Sequence, residues 1–168
     1  MLNDKLQKAL NQQINLELYS SYIYLSMSAW FEDINLTGFA QWMKIQSQEE
    51  LLHVLKLFDF VNDCNGRVLL QAIAAPPTEW KSPLDAFQNA YQHEQHVTRS
   101  IYNLMDLAVQ EKDHAVQALL QWFVNEQVEE EATARELVEK LKRIEGAPAA
   151  LFLIDQELAG RTLSTPAE

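Results

Sequence analysis

Four long stretches of the chain carry apolar residues at helical spacing, and each loses them in the middle. Steps of three and four trace the buried face of a helix in a bundle. The first stretch gives Leu10, Gln13, Glu17, Ser20, Tyr24, Met27 and Phe31. The second gives Phe39, Met43, Gln46, Glu50, His53, Leu57, Phe60 and Cys64. The third gives Leu84, Phe87, Tyr91, Glu94, Thr98, Ile101, Met105 and Ala108. The fourth gives Val116, Leu119, Phe123, Glu126 or Gln127, Glu130, Thr133, Leu137 and Leu141. Each row is apolar at its ends and polar at its centre.

Local signals set the bounds. Asn3 or Asp4 opens a helix over 4–33, and Thr37 is a candidate cap for a second over 38–65, stopped by Asn65-Gly66. Ser82-Pro83-Leu84-Asp85 is a strong start for a third over 83–112: a capping Ser, Pro at the first position and an acid three residues after the cap. Asp113 opens a fourth over 114–145, and a short fifth covers 148–158. Two short connections make two antiparallel hairpins. Between them, residues 66–82 could reach ~56 Å when extended, and a helix of this length spans ~40 Å. The linker can therefore run the length of the bundle and leave helices two and three parallel. The fold expected is all-α: one domain over 1–168, a four-helix bundle with one long crossover and a short C-terminal helix.

Composition agrees with a globular chain, 48% hydrophobic and 22% charged over 168 residues. The net charge of −11 argues against nucleic acid and in favour of cations. A single cysteine, Cys64, rules out an intrachain disulfide and suits a reducing compartment. MLNDKLQKAL has no apolar signal core, and no run approaches the roughly 18 apolar residues of a membrane span. The expectation is a cytoplasmic protein with no membrane partner.

Aligned in a bundle, the four polar gaps lie at similar depth and converge. A shift of 77 residues sets Glu17 on Glu94, Glu49 on Glu126, Glu50 on Gln127 and His53 on Glu130, as a two-fold related site requires. Buried carboxylates without partners are costly, and a bound cation is the usual relief. Oxygen ligands with one imidazole and no thiolate disfavour structural zinc and favour iron or manganese. Four carboxylates can neutralise two dications, with Glu50 the natural bridge because its helix also supplies His53. Two other readings use the same pattern. One is a di-metal oxidase acting on a small organic substrate, which needs an apolar cavity beside the metals. The other is a metal-free structural bundle, which leaves the polar centre unexplained.

QSQEELLHVLKL, WFVNEQVEEE and the tail LFLIDQELAGR together resemble the bacterial non-haem ferritins along nearly the whole chain. The resemblance implies a ferritin-like fold and a ferroxidase centre that oxidises Fe(II) with O2 or H2O2. It also implies a hollow 24-subunit shell storing ferric mineral. By position, one iron would be held by Glu17, Glu50 and His53, the second by Glu50, Glu94 and Glu130. A third, weaker site would use Glu49, Glu126 and Glu129 with Glu130 shared. Gln127 would sit beside the pair, with Tyr24 next to it. The haem-binding methionine of bacterioferritin is replaced by Leu51, so no haem is expected.

The remaining candidates have plainer roles. His93, His96 and His114 read as surface or interface residues, Trp122 as core that could line the site, and Cys64 as a small buried residue. Glu111 and Asp113 are candidates for an ion access route. Leu151 to Ile154 make the fifth helix apolar almost all round, which calls for burial in a homo-oligomer.

Overall fold

The structure, a computed structural model, describes residues 2–164. Five helices follow in order: α1 (Asp4–Asp33), α2 (Thr37–Asp63), α3 (Pro83–Gln110), α4 (His114–Arg143) and α5 (Pro148–Leu158). No strand occurs among the described residues. α1 packs on α2 and α3 on α4, each pair antiparallel.

The crossover is as the linker length requires. Lys5 pairs with Glu111 at one end of the bundle, and Trp30 packs on Trp80 at the other. α1 and α3 are therefore antiparallel, and α2 and α3 run the same way. α1 guides the linker along its whole length. Asn11 exchanges bonds with Arg67 O and Leu69 N, Asn15 donates to Ala72 O, and Ser26 donates to Pro77 O.

Helix ends follow local chemistry, with one exception. Asn3, Ser82 and Asp113 cap α1, α3 and α4 through their side chains. Asn35, Asn65 and Lys112 adopt positive φ just past α1, α2 and α3. The next residue's N–H returns to the last turn each time: Leu36 to Phe31, Gly66 to Val61 and Asp113 to Ala108. Those left-handed residues stop α2 at Asp63 and α3 at Gln110, about two residues before the expected ends, and α4 stops at Arg143. The exception is α2, where Thr37 is already helical and Leu36 at the cap makes no side-chain bond. Asp155 of α5 does the capping instead, accepting from Gly38 N at 2.9 Å and Phe39 N at 3.0 Å.

The core is split in two. One apolar cluster surrounds the stacked Phe31 and Phe39 with Phe87, Trp42, Leu137 and Leu158. The other gathers Leu10, Leu57, Ile101, Leu120 and Phe123. Between them lies a buried polar layer: Gln13, Glu17, Ser20, Gln46, Glu50, His53, Glu94, Thr98 and Gln127. The expected rows hold there and drift toward the ends. Val61 is buried while Phe60 and Cys64 are half-exposed, Leu120 is buried ahead of Leu119, and Ala134 is buried while Thr133 is exposed. A 3.5-residue row slips by ~20° per heptad on a straight helix, so its match to the buried face weakens with distance from the central layer.

Candidate metal centre

Each helix brings its share of the polar layer by simple periodicity. Gln13 and Glu17 are one turn apart on α1, as are Gln46 and Glu50 on α2. In each pair the amide steadies the acid: Gln13 Nε2 donates to Glu17 at 2.7 Å, and Gln46 Nε2 to Glu50 at 3.1 Å. Gln46 Nε2 also donates to Glu130 of α4 at 2.9 Å. Glu94 of α3 accepts a short hydrogen bond from the Tyr24 hydroxyl and another from Gln127 Nε2 at 3.1 Å. Gln127 Nε2 also reaches Thr98.

His53 faces the acids with Nδ1, 3.2 Å from Glu50 Oε2. Its ring is braced edge-on by Trp122 and Phe123, and Lys56 covers the Trp122 face. Donor atoms of Glu17, Glu50 and His53 lie within 4.8 Å of one another, the spacing of ligands around one ion. Those of His53, Glu126 and Glu130 form a second such group. Glu94 stands outside both groups, turned to Tyr24 and Gln127.

The electrostatics are those of a site short of cations. Burial first, and neighbouring carboxylates second, push Glu17, Glu50, Glu94 and Glu130 up to about 8 from an ordinary 4.5. Tyr24 is raised by burial and by Glu94. Glu126 is raised mainly by burial, less fully enclosed. Glu17 Oε2 is buried without any hydrogen-bond partner. An orphan carboxylate oxygen beside a carboxylate and an imidazole fits a cation, since an unmet buried polar atom otherwise costs about 1–3 kcal/mol. The donors are hard oxygens plus one nitrogen, which fits iron.

The three acids expected at a weaker site differ in their surroundings, although Glu126 feels the charges of both Glu129 and Glu49. Glu49 is buried but taken: Arg161 makes a short ion pair with it, and Ser164 Oγ donates to it at 2.8 Å. Glu126 sits beside His53 and Glu130, and Glu129 is exposed. Three plainer readings need correction. His93 is buried, not at the surface; its Nε2 is 2.8 Å from Ser20 Oγ, and burial followed by His96 lowers it to about 4. Cys64 is half-exposed because the α2 core row has drifted to Val61. Glu111 and Asp113 are occupied structurally, Glu111 by Lys5 and Asn3, Asp113 by the start of α4.

Sequence reasoning placed Gln46 in the polar row of the second helix but assigned no role at the site to it or to Arg161. For Gln46 a signal existed: it precedes Glu50 by four residues, as Gln13 precedes Glu17. Arg161 ends the tail LFLIDQELAGR that carries the resemblance, but no spacing tied it to the polar layer.

Comparisons with known proteins bear on the family and the fold. The profile of the ferritin-like domain family matches residues 7–144. A bacterial non-heme ferritin from Bacteroides fragilis is 45% identical over 161 residues, covering 96% of this chain and 100% of the relative. One from Staphylococcus saprophyticus is 42% identical over 162 residues, covering 96% and 97%. An open-pore ferritin from the hyperthermophilic archaeon Archaeoglobus fulgidus superposes with a TM-score of 0.95. It is 51% identical and covers 96% of this chain and 100% of that one.

Proposed function

The chain belongs to the ferritin-like family, and from that premise we propose a ferroxidase that binds Fe(II) at Glu17, Glu50, His53, Glu94 and Glu130. Its function is iron storage. The observation that carries the site is the unpartnered Glu17 Oε2 facing Glu50 and His53 in a layer of raised carboxylates.

Iron is the substrate. Two Fe(II) each give up one electron. With O2 and two protons the products are two Fe(III) and H2O2; with H2O2 and two protons they are two Fe(III) and two waters. The chain's residues bind, orient and exchange protons. Carboxylates held near 8 share protons at neutral pH, and a dication must displace those protons to bind. Glu50 bridges because it has a neighbour on each side, Glu17 and His53 on one and Glu130 through Gln46 on the other. Glu94 joins by exchanging the Tyr24 and Gln127 bonds for an ion. Gln127 remains beside the pair, and Tyr24 then has a hydroxyl free to donate to a nearby oxygen. Glu126, with Glu130 and His53, opens toward a weaker site completed by Glu49 and Glu129. Copies assemble into a hollow shell, on the family pattern a 24-mer, working in the cytoplasm without haem. No helix among the described residues is long and apolar enough to cross a membrane.

The test is aerobic loading of the apo protein with a large excess of Fe(II), followed by gel filtration and an iron count. A large assembly retaining hundreds of irons per shell is expected, and roughly two per chain, the content of a closed di-metal site, would favour the organic-substrate oxidase. No retained iron would restore the metal-free bundle.

A further inference from the structure

Arg161 lies past the end of α5, yet its guanidinium reaches the edge of the carboxylate layer. It stacks over Trp42 at 4.2 Å, donates to Trp42 O at 3.3 Å and to Gln46 Oε1 at 2.8 Å, and makes the short ion pair with Glu49. Ser164 adds its hydroxyl at 2.8 Å and its N–H at 3.3 Å to the other oxygen of Glu49. Both oxygens of Glu49 are thereby engaged. The Gln46 contact ties this cation to the centre: with Oε1 held by Arg161, the amide hydrogens of Gln46 face Glu50 and Glu130.

A planar donor fork suits this place. It satisfies a carboxylate and an amide together while its flat face covers an indole, which an ammonium cannot do. The anchor for the segment is α5, fixed on α2 through Asp155.

We propose that Arg161 is a tethered cation that holds the third-ion position closed: it neutralises Glu49, and a third metal ion binds only by displacing it. This rests on the two-ion centre proposed above. It gives the weaker site a physical reason for being weak, since an incoming ion must compete with a charge that is always present at high local concentration.

Zn(II), which is redox-inert, tests this by calorimetric titration of the full-length apo protein. The wild type is expected to bind two equivalents tightly and a third weakly. In Arg161→Gln the third equivalent is expected to tighten roughly tenfold, the scale of one charge-assisted hydrogen bond. Arg161→Lys, which keeps the charge but not the fork, is expected to tighten it less than Arg161→Gln does, and Glu49→Gln to abolish it in either background. The unmutated chain gives a second readout: displacement of Arg161 uncovers Trp42, so tryptophan emission is expected to move at the third equivalent, and not in Trp42→Phe. An unchanged third equivalent in Arg161→Gln, equal tightening in the Lys variant, or a third equivalent that leaves Trp42 unmoved would each overturn the role of Arg161 alone. Loss of the first two equivalents in the wild type would instead overturn the two-ion centre beneath it.

Discussion

Replacing Glu17 by Leu is expected to stabilise the apo protein while abolishing tight binding of the first ion. The change removes a fully buried acid with an orphan oxygen, worth about 1–3 kcal/mol, and the acceptor lost to Gln13 offsets part of it. At ~2–4 °C per kcal/mol for a chain of this size, thermal unfolding would show a rise of a few degrees; a fall would mean that Glu17 is structural. Glu94→Leu is the instructive contrast. It strands the Tyr24 hydroxyl and the Gln127 amide, so its gain should be smaller or absent. pH acts on the same residues. The four acids sit near 8 in the fold and near ordinary values unfolded, so the native state holds more protons between those limits. Their contribution is fully present below about 4.5, declines as pH rises, and is gone above about 8. Apo melting temperature is therefore expected to fall between pH 5 and 9, and saturating Zn(II) to reverse the trend. At this scale the polar positions were legible because Glu17, Glu50, His53 and Glu94 interrupt rows that are otherwise apolar. Their partners were less so. The 77-residue register relates the acids but not the donors: Glu17 is served by Gln13 of its own helix, Glu94 by Tyr24 and Gln127 of two others.

The α2 terminus shows what the element scale adds. Thr37 looked like a cap from its neighbours alone, and three of the four long helices do obey that local chemistry. α2 instead takes its cap from Asp155, 117 residues beyond Gly38, a pairing no local signal contains. Its consequences are specific. Asp155→Ala is expected to cost about 1–2 kcal/mol, the usual value of a lost cap, measured as a drop in melting temperature of the apo protein. Asp155→Asn, which keeps an accepting oxygen, should recover most of it. Gly38 belongs to the same contact. A Cβ there would lie 1.7 Å from Asp155 O, and that backbone atom can yield only if α5 moves. Gly38→Ala should consequently lift α5 and carry Arg161 off Trp42, seen as a change in tryptophan emission with helix content nearly unchanged.

On the scale of the whole molecule, the two faces of α5 divide the labour. Leu151, Ile154, Asp155 and Leu158 recur at helical spacing and turn inward; the first two are partly buried, the last two fully. Phe152 and Leu153 point away at 61% and 68% exposure. The run Leu151–Ile154 read as apolar all round because a single chain cannot say which half its own bundle will cover. The half left over is the surface for which an assembly has a use. Burying two such side chains is worth about 1.5–3 kcal/mol each, a large share of any one contact and repeated at every copy. Phe152→Glu combined with Leu153→Glu is expected to shift the protein to smaller species in sedimentation velocity. The site lies within one chain, so the variant should still bind about two Zn(II) per chain, the number proposed for the centre, and still oxidise Fe(II) in the first turnover. What it should lose is retention of excess iron, since ferric product formed outside a closed shell has no interior to enter and will precipitate. An intact assembly would show that this face of α5 is not a contact. Disassembly with full iron retention would separate storage from the shell and return it to the bundle itself.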